Sequence, residues 1–161
     1  ANEFHLRFSI EHCTDGYLIV DELVRNHVQC LLGPTVGGKG KIEARNKTFE
    51  AGQILENAGI TFGLITDAPF VPIEGQLLQA ALYVKNGLSR EMALKCLTIN
   101  NAIITDVDSR VGSLEPGKDA DVVIWDVEPL ATLSQAGIVI IDGQIAYRIK
   151  AGESNVDYQK L

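Results

Sequence analysis

His12 and Asp67 are the two side chains whose type and setting could do chemistry together. Each directly follows a short apolar run, His12 after residues 6–11 and Asp67 after residues 61–66. Such runs read as strands, and Pro69 and Pro72 stop the second from continuing. Both residues therefore fall at C-terminal strand ends, where α/β folds keep their reactive groups. An imidazole and a carboxylate are suitable ligands for zinc, manganese or iron. Taken singly, each has a plainer reading: a rim histidine satisfied by hydrogen bonds, and a turn carboxylate before proline. Two ligands also fall short of the three that a catalytic zinc normally takes from protein.

Other reactive types are less telling. His5 precedes a strand and His27 ends a helix, so both read as solvated surface. Cys13, Cys30 and Cys96 form an odd set without C-x-x-C spacing, which fits reduced, buried thiols in a cytoplasmic protein. Cys13 stands out only because it adjoins His12. Gly37-Gly38-Lys39-Gly40-Lys41 offers glycine-rich backbone and lysine to an anion, but lacks the order of a phosphate loop and any visible helix start. A solvated loop accounts for it more simply.

For His12 and Asp67 to meet, two strand ends must lie side by side. Residues 6–11 read as a strand, 17–26 as a helix with Leu18, Leu23 and Val24 at helical spacings, and 28–32 as a buried parallel strand closed by Gly33-Pro34. The polar loop 35–46 is long enough to be functional or mobile. Residues 49–58 then read as a helix stopped by Gly59, and 61–66 as the third strand. Residues 74–85 follow as a helix with Leu77, Leu78, Ala81 and Leu82 on its apolar face. Ser89 is an N-cap for residues 90–97, with Glu91 in the first turn, and 100–105 form a short helical piece.

Three strand–helix units in a row imply a parallel sheet with right-handed crossovers. Such a sheet keeps unpaired edges and a badly covered face, so something outside this chain is expected to complete it. From Asp106 onward the pattern changes to turns and alternating strands at 121–126, 138–142 and 144–148, with Asp142-Gly143 as a hairpin turn.

The composition bounds the rest. Of 161 residues, 46% are hydrophobic and 22% charged, which supports a folded core. A net charge of -7 without a basic stripe argues against nucleic acid or an anionic membrane as the main partner. No segment approaches transmembrane length. Ala1-Asn2-Glu3-Phe4-His5 carry neither an initiator Met nor a signal-peptide pattern and read as the tail of a helix entered midway.

Four stretches resemble the C-terminal part of the amidohydrolase superfamily, in its imidazolonepropionase-related branch. They are Glu11-His12, Thr66-Asp67-Ala68-Pro69, Thr98-Ile99-Asn100-Asn101-Ala102, and above all the run from Arg110 through Gly112-Ser113-Leu114-Glu115-Pro116-Gly117-Lys118-Asp119-Ala120-Asp121 to Asp126. The resemblance covers nearly the whole chain. It implies an α/β fold: the C-terminal part of a (β/α)8 TIM barrel, strands six to eight, over residues 1–108, and the C-terminal strands of a small composite β-sandwich over residues 109–161. The family's HxH motif, strand-four ligand and strand-five histidine have no counterpart here and would lie upstream of Ala1.

Carried over residue by residue, His12 matches the strand-six histidine, which ligates metal or hydrogen-bonds the bound water and the substrate carbonyl. Asp67 matches the strand-eight aspartate, a metal ligand and general base. The implied cofactor is one or two divalent ions, zinc foremost, and the implied reaction is hydrolysis of a non-peptide carbon–nitrogen bond in a small molecule. Lys39, Glu43, Arg45 and Asn46 would face the barrel mouth as substrate contacts. Two positions depart from the family: Ala68 stands where it often has histidine, and Asn101 where it usually has proline, a change expected to touch the start of a helix more than chemistry. The partner expected is the N-terminal remainder of the barrel, or another copy by self-association. A non-catalytic barrel fragment used for binding or assembly, and an anion-binding module using residues 37–41, are the competing readings.

Overall fold

The structure is a computed structural model describing residues 1–149, so residues 150–161 of the expected second unit, and the side chains of Asn2 and Glu43, lie outside the described residues. Its first half is α/β. Strands β1 (Ser9–Ile10), β2 (Gln29–Leu32) and β3 (Phe62–Leu64) make a parallel sheet in the order β1-β2-β3. Ile10 stands opposite Cys30 and Leu31 opposite Gly63. Helices α1 (Val20–Arg25) and α2 (Glu50–Asn57) make the crossovers, and Gly59 ends α2 at φ +70°, as its position predicts. Leu23, Cys30, Leu32, Leu55, Phe62, Leu64 and Tyr83 close the core, with Phe49 and Tyr83 edge to face at 5.1 Å.

Two strands are shorter than their apolar patterns. Residues 6–11 yield only Ser9–Ile10 as ladder, because β1 is an edge strand and, among the described residues, exposed Leu6 and Phe8 have no neighbouring strand to pair with. Ahead of β1, Asn2–Phe4 form a single 3-10 turn in place of the expected helix tail. At the other edge, β3 does not present bare carbonyls. Phe62 O accepts from Asn100 Nδ2 at 2.8 Å, and Leu64 O from Gln76 Nε2 at 2.6 Å and Asn101 Nδ2 at 3.1 Å. Asn101 thus caps a sheet edge, a role beyond the helix start it was expected to affect.

Helix α3 (Gln76–Lys85) packs on α4 (Arg90–Leu97) and α2, and α4 and α5 (Ile99–Ile104) lie against β3. Ser89 caps α4, its oxygen accepting from Met92 N at 3.1 Å. The buried face of α3 differs from the leucine pattern: Gln79, Ala80 and Tyr83 are buried while Leu78 is exposed. Polar Gln79 goes inside because backbone groups there need its amide. Arg7 is paired with Asp106 and donates to Ile103 O at 3.2 Å, tying the start of the chain to the end of α5.

Strands β4 (Val122–Trp125), β5 (Ala136–Ile141) and β6 (Gln144–Arg148) form a separate antiparallel sheet in that order. Asp142 and Gly143 both take positive φ, 50° and 73°, the signature of the tight hairpin turn their sequence predicts. Val123, Ile124, Ile145 and Tyr147 leave much of this sheet's apolar surface in water. No helix among the described residues is long and apolar enough to cross a membrane.

Gly63 sits where β3 meets α5, and a Cβ there would collide with the Asn101 amide and come within 3.0 Å of Leu31 Cδ2. Gly63→Ala is expected to cost about 1–3 kcal/mol by chemical denaturation, through displacement of Asn101 from Leu64.

Candidate functional site

His12 and Asp67 leave their strand ends in the same backbone conformation, with φ of 52° and 53°. This left-handed region costs most side chains about 1–2 kcal/mol, and histidine and aspartate are among the residues that adopt it most often. The sharp turn brings both side chains to one rim of the sheet. His12 Nε2 lies 4.0 Å from Asp67 Oδ1, with both side chains half-exposed. That separation is too long for a hydrogen bond. Two zinc–ligand bonds of about 2.0–2.2 Å at a tetrahedral angle set their donor atoms about 3.4 Å apart, so one ion would touch both atoms once the pair closes by about half an ångström.

The other face of the imidazole is held. His12 Nδ1 stands 3.2 Å from Gly33 O, and a carbonyl only accepts. In the neutral ring Nδ1 therefore carries the proton, and the Nε2 lone pair faces Asp67. The donor set, one imidazole nitrogen and one carboxylate oxygen with free lone pairs, suits zinc. Among the described residues no group of three or more histidine, cysteine, aspartate or glutamate side chains gathers around an ion position, so a full set needs ligands beyond this pair.

The loop after β2 touches the segment after His12 through Asn46. Its Nδ2 donates to Asp15 Oδ2 at 3.1 Å and its carbonyl accepts from Tyr17 Oη at 2.9 Å. Asn46 thus ties the two loops together. Lys39 and Arg45 are exposed, the Glu43 side chain lies outside the described residues, and Gly37, Gly38 and Gly40 stand clear of other atoms. The lysine this loop buries is Lys47, which the glycine–lysine pattern did not single out; desolvation lowers its pKa, and Lys39 adds to the effect.

All three cysteines are free and buried. Hydrogen bonding from Cys30 lowers the Cys13 thiol pKa, while that pairing and burial raise Cys30, and burial pushes Cys96 up to about 12. Cys96 also donates to Phe62 O at 3.1 Å.

The Amidohydrolase family model matches residues 9–153, a span that includes both strand ends and the pair at their rim. The chain belongs to the amidohydrolase family. Amidohydrolase tasK of Hapsidospora irregularis is 34% identical over 103 residues, covering 64% of this chain and 10% of that protein. An imidazolonepropionase of Picrophilus torridus is 46% identical over 41 residues, 26% of this chain and 10% of that one. The crystal structure of an amidohydrolase from Thermotoga maritima superposes with a TM-score of 0.88 at 36% identity, covering 92% of this chain and 39% of that chain. This amidohydrolase chain thus spans a tenth of those curated relatives and about two fifths of that solved structure.

Long-range 1H–15N spectra of histidine-labelled, metal-free protein are expected to show neutral His12 as the Nδ1–H tautomer. A dominant Nε2–H form would contradict the bond to Gly33.

Proposed function

We propose that this chain is the C-terminal part of a metal-dependent hydrolase that cleaves a non-peptide carbon–nitrogen bond, an amide or cyclic amide, in a small molecule. The observation that carries the reading is the convergence of His12 Nε2 and Asp67 Oδ1 to 4.0 Å across two strand ends in a chain of this family. In this reading β1, β2 and β3 are strands six, seven and eight of a barrel, completed by an N-terminal remainder or by association with another copy. Strands β4 to β6 are one part of a composite sandwich, whose other part would cover Val123, Ile124, Ile145 and Tyr147. The three free thiols suit a reducing compartment such as the cytoplasm.

Asp67, with His12 and ligands from outside this chain, would hold a divalent ion, which when bound would supply Lewis acidity toward water and the substrate carbonyl. The proton traffic belongs to the protein. Asp67 takes a proton from the attacking water as its oxygen bonds to the carbonyl carbon, then delivers it to the nitrogen as the carbon–nitrogen bond breaks, leaving a carboxylic acid and an amine. A half-exposed carboxylate at the mouth can exchange protons in both directions. His12, its Nδ1–H held by Gly33, keeps Nε2 aimed at the same point. Lys39, Glu43 and Asn46 stand on the loop that would meet substrate, with Asn46 fixing that loop to Asp15.

In the complete protein, Asp67→Asn is expected to lower kcat for amide or lactam hydrolysis by about 10²–10⁴-fold. Removal of metal by a chelator is expected to abolish activity, and zinc to restore it. Full activity in the variant would sink the mechanism.

A further inference from the structure

Gln79 is wholly buried on α3, and both ends of its amide are engaged by the two loops that carry the rim of the site. Its Oε1 accepts from Thr35 N at 2.8 Å, just past β2, and its Nε2 donates to Ile65 O at 2.8 Å, just past β3. The same amide backs Gly33. A Cβ on Gly33 would run into Ile65 O and lie 3.1 Å from Gln79 Nε2, so this segment, at φ +128°, is pressed against both. Gly33 supplies the carbonyl that holds His12 Nδ1, and Ile65 lies two residues before Asp67.

We infer that Gln79 is a positioning residue, a buried clamp between the ends of β2 and β3 that sets the aim of His12, through the Gly33 carbonyl, and its distance to Asp67. A buried amide with both ends paired fixes the separation of two backbone segments, which an apolar side chain of the same volume does not. Thr35 Oγ1 also pairs with the hydroxyl of Tyr83, one turn further along α3, so the same helix holds this loop twice. Nothing places Gln79 in contact with substrate. It acts through Gly33 and Ile65.

The inference rests on the hydrolase reading, and its test separates the two. Gln79→Met keeps the volume and removes both hydrogen bonds; Asp67→Asn is measured beside it in the complete protein. Asn86→Ala, which loses only the bond from Asn86 Nδ2 to Leu82 O at the end of α3, is the matched control for lost stability. Gln79→Met is expected to lower kcat about 100-fold, with KM changed by less than about twofold, and to mix the two His12 tautomers in 15N spectra of the metal-free protein. Asn86→Ala is expected to lower Tm without either change. Wild-type kcat and an unmixed His12 spectrum in Gln79→Met, with Asp67→Asn inactive, overturn the positioning role and leave the hydrolase reading standing. Full activity in Asp67→Asn overturns the hydrolase reading and this role with it. If Gln79→Met does not fold, Gln79→Leu decides in the same way: it removes both hydrogen bonds to Thr35 N and Ile65 O and buries no polar group.

Discussion

The rim of this molecule depends on how closely the ends of β2 and β3 approach. Gly33 is the point of contact: no side chain fits between it and the Ile65 carbonyl, and its own carbonyl is turned toward His12. Beside that contact Gln79 is buried with both ends of its amide paired, and His12 Nδ1 lies 3.2 Å from the Gly33 carbonyl. A larger residue at Gly33 would push the strands apart and deprive the pair of its shared focus. The backbone strain at His12 and Asp67 belongs to the same arrangement, since left-handed residues persist where the surroundings over-determine them.

The rest of the fold serves that rim unequally. The core of Leu23, Leu32, Leu55, Phe62, Leu64 and Tyr83 holds helices against the sheet and keeps the strand ends in register. Asn100, Asn101 and Gln76 satisfy the outer carbonyls of β3, which blunts an edge that an isolated parallel sheet would leave open. Among the described residues nothing comparable covers the β1 edge, ahead of which Phe4, Leu6 and Phe8 are exposed, or the outer residues of β4 and β6. These are the surfaces on which the proposed remainder of the protein would pack.

Much of this was legible in the sequence, for identifiable reasons. Apolar runs ending in His12 and Asp67 marked the strand ends, Ser89 and Gly59 marked helix boundaries, and Asp142-Gly143 marked the hairpin, because each is set by local chemistry. The lengths of β1 and β3 were not legible, since ladder length depends on a neighbour rather than on hydrophobicity. The burial of Gln79 instead of Leu78 was hidden for a related reason: the demand for an amide comes from Thr35 and Ile65, which lie far away in the sequence. Lys47 escaped notice because its burial follows from where the loop lands. Ala68 and Asn101, the departures from the family pattern, leave the His12 and Asp67 pair intact.

In the proposed function His12 and Asp67 address one metal-centred reaction site. Anomalous diffraction from crystals of the complete protein loaded with zinc tests it most directly. The ion is expected about 2.0–2.2 Å from an Asp67 carboxylate oxygen, with His12 Nε2 turned toward it and Nδ1 still held by Gly33. Zinc bound elsewhere in an active enzyme, with Asp67 outside its coordination, would contradict it.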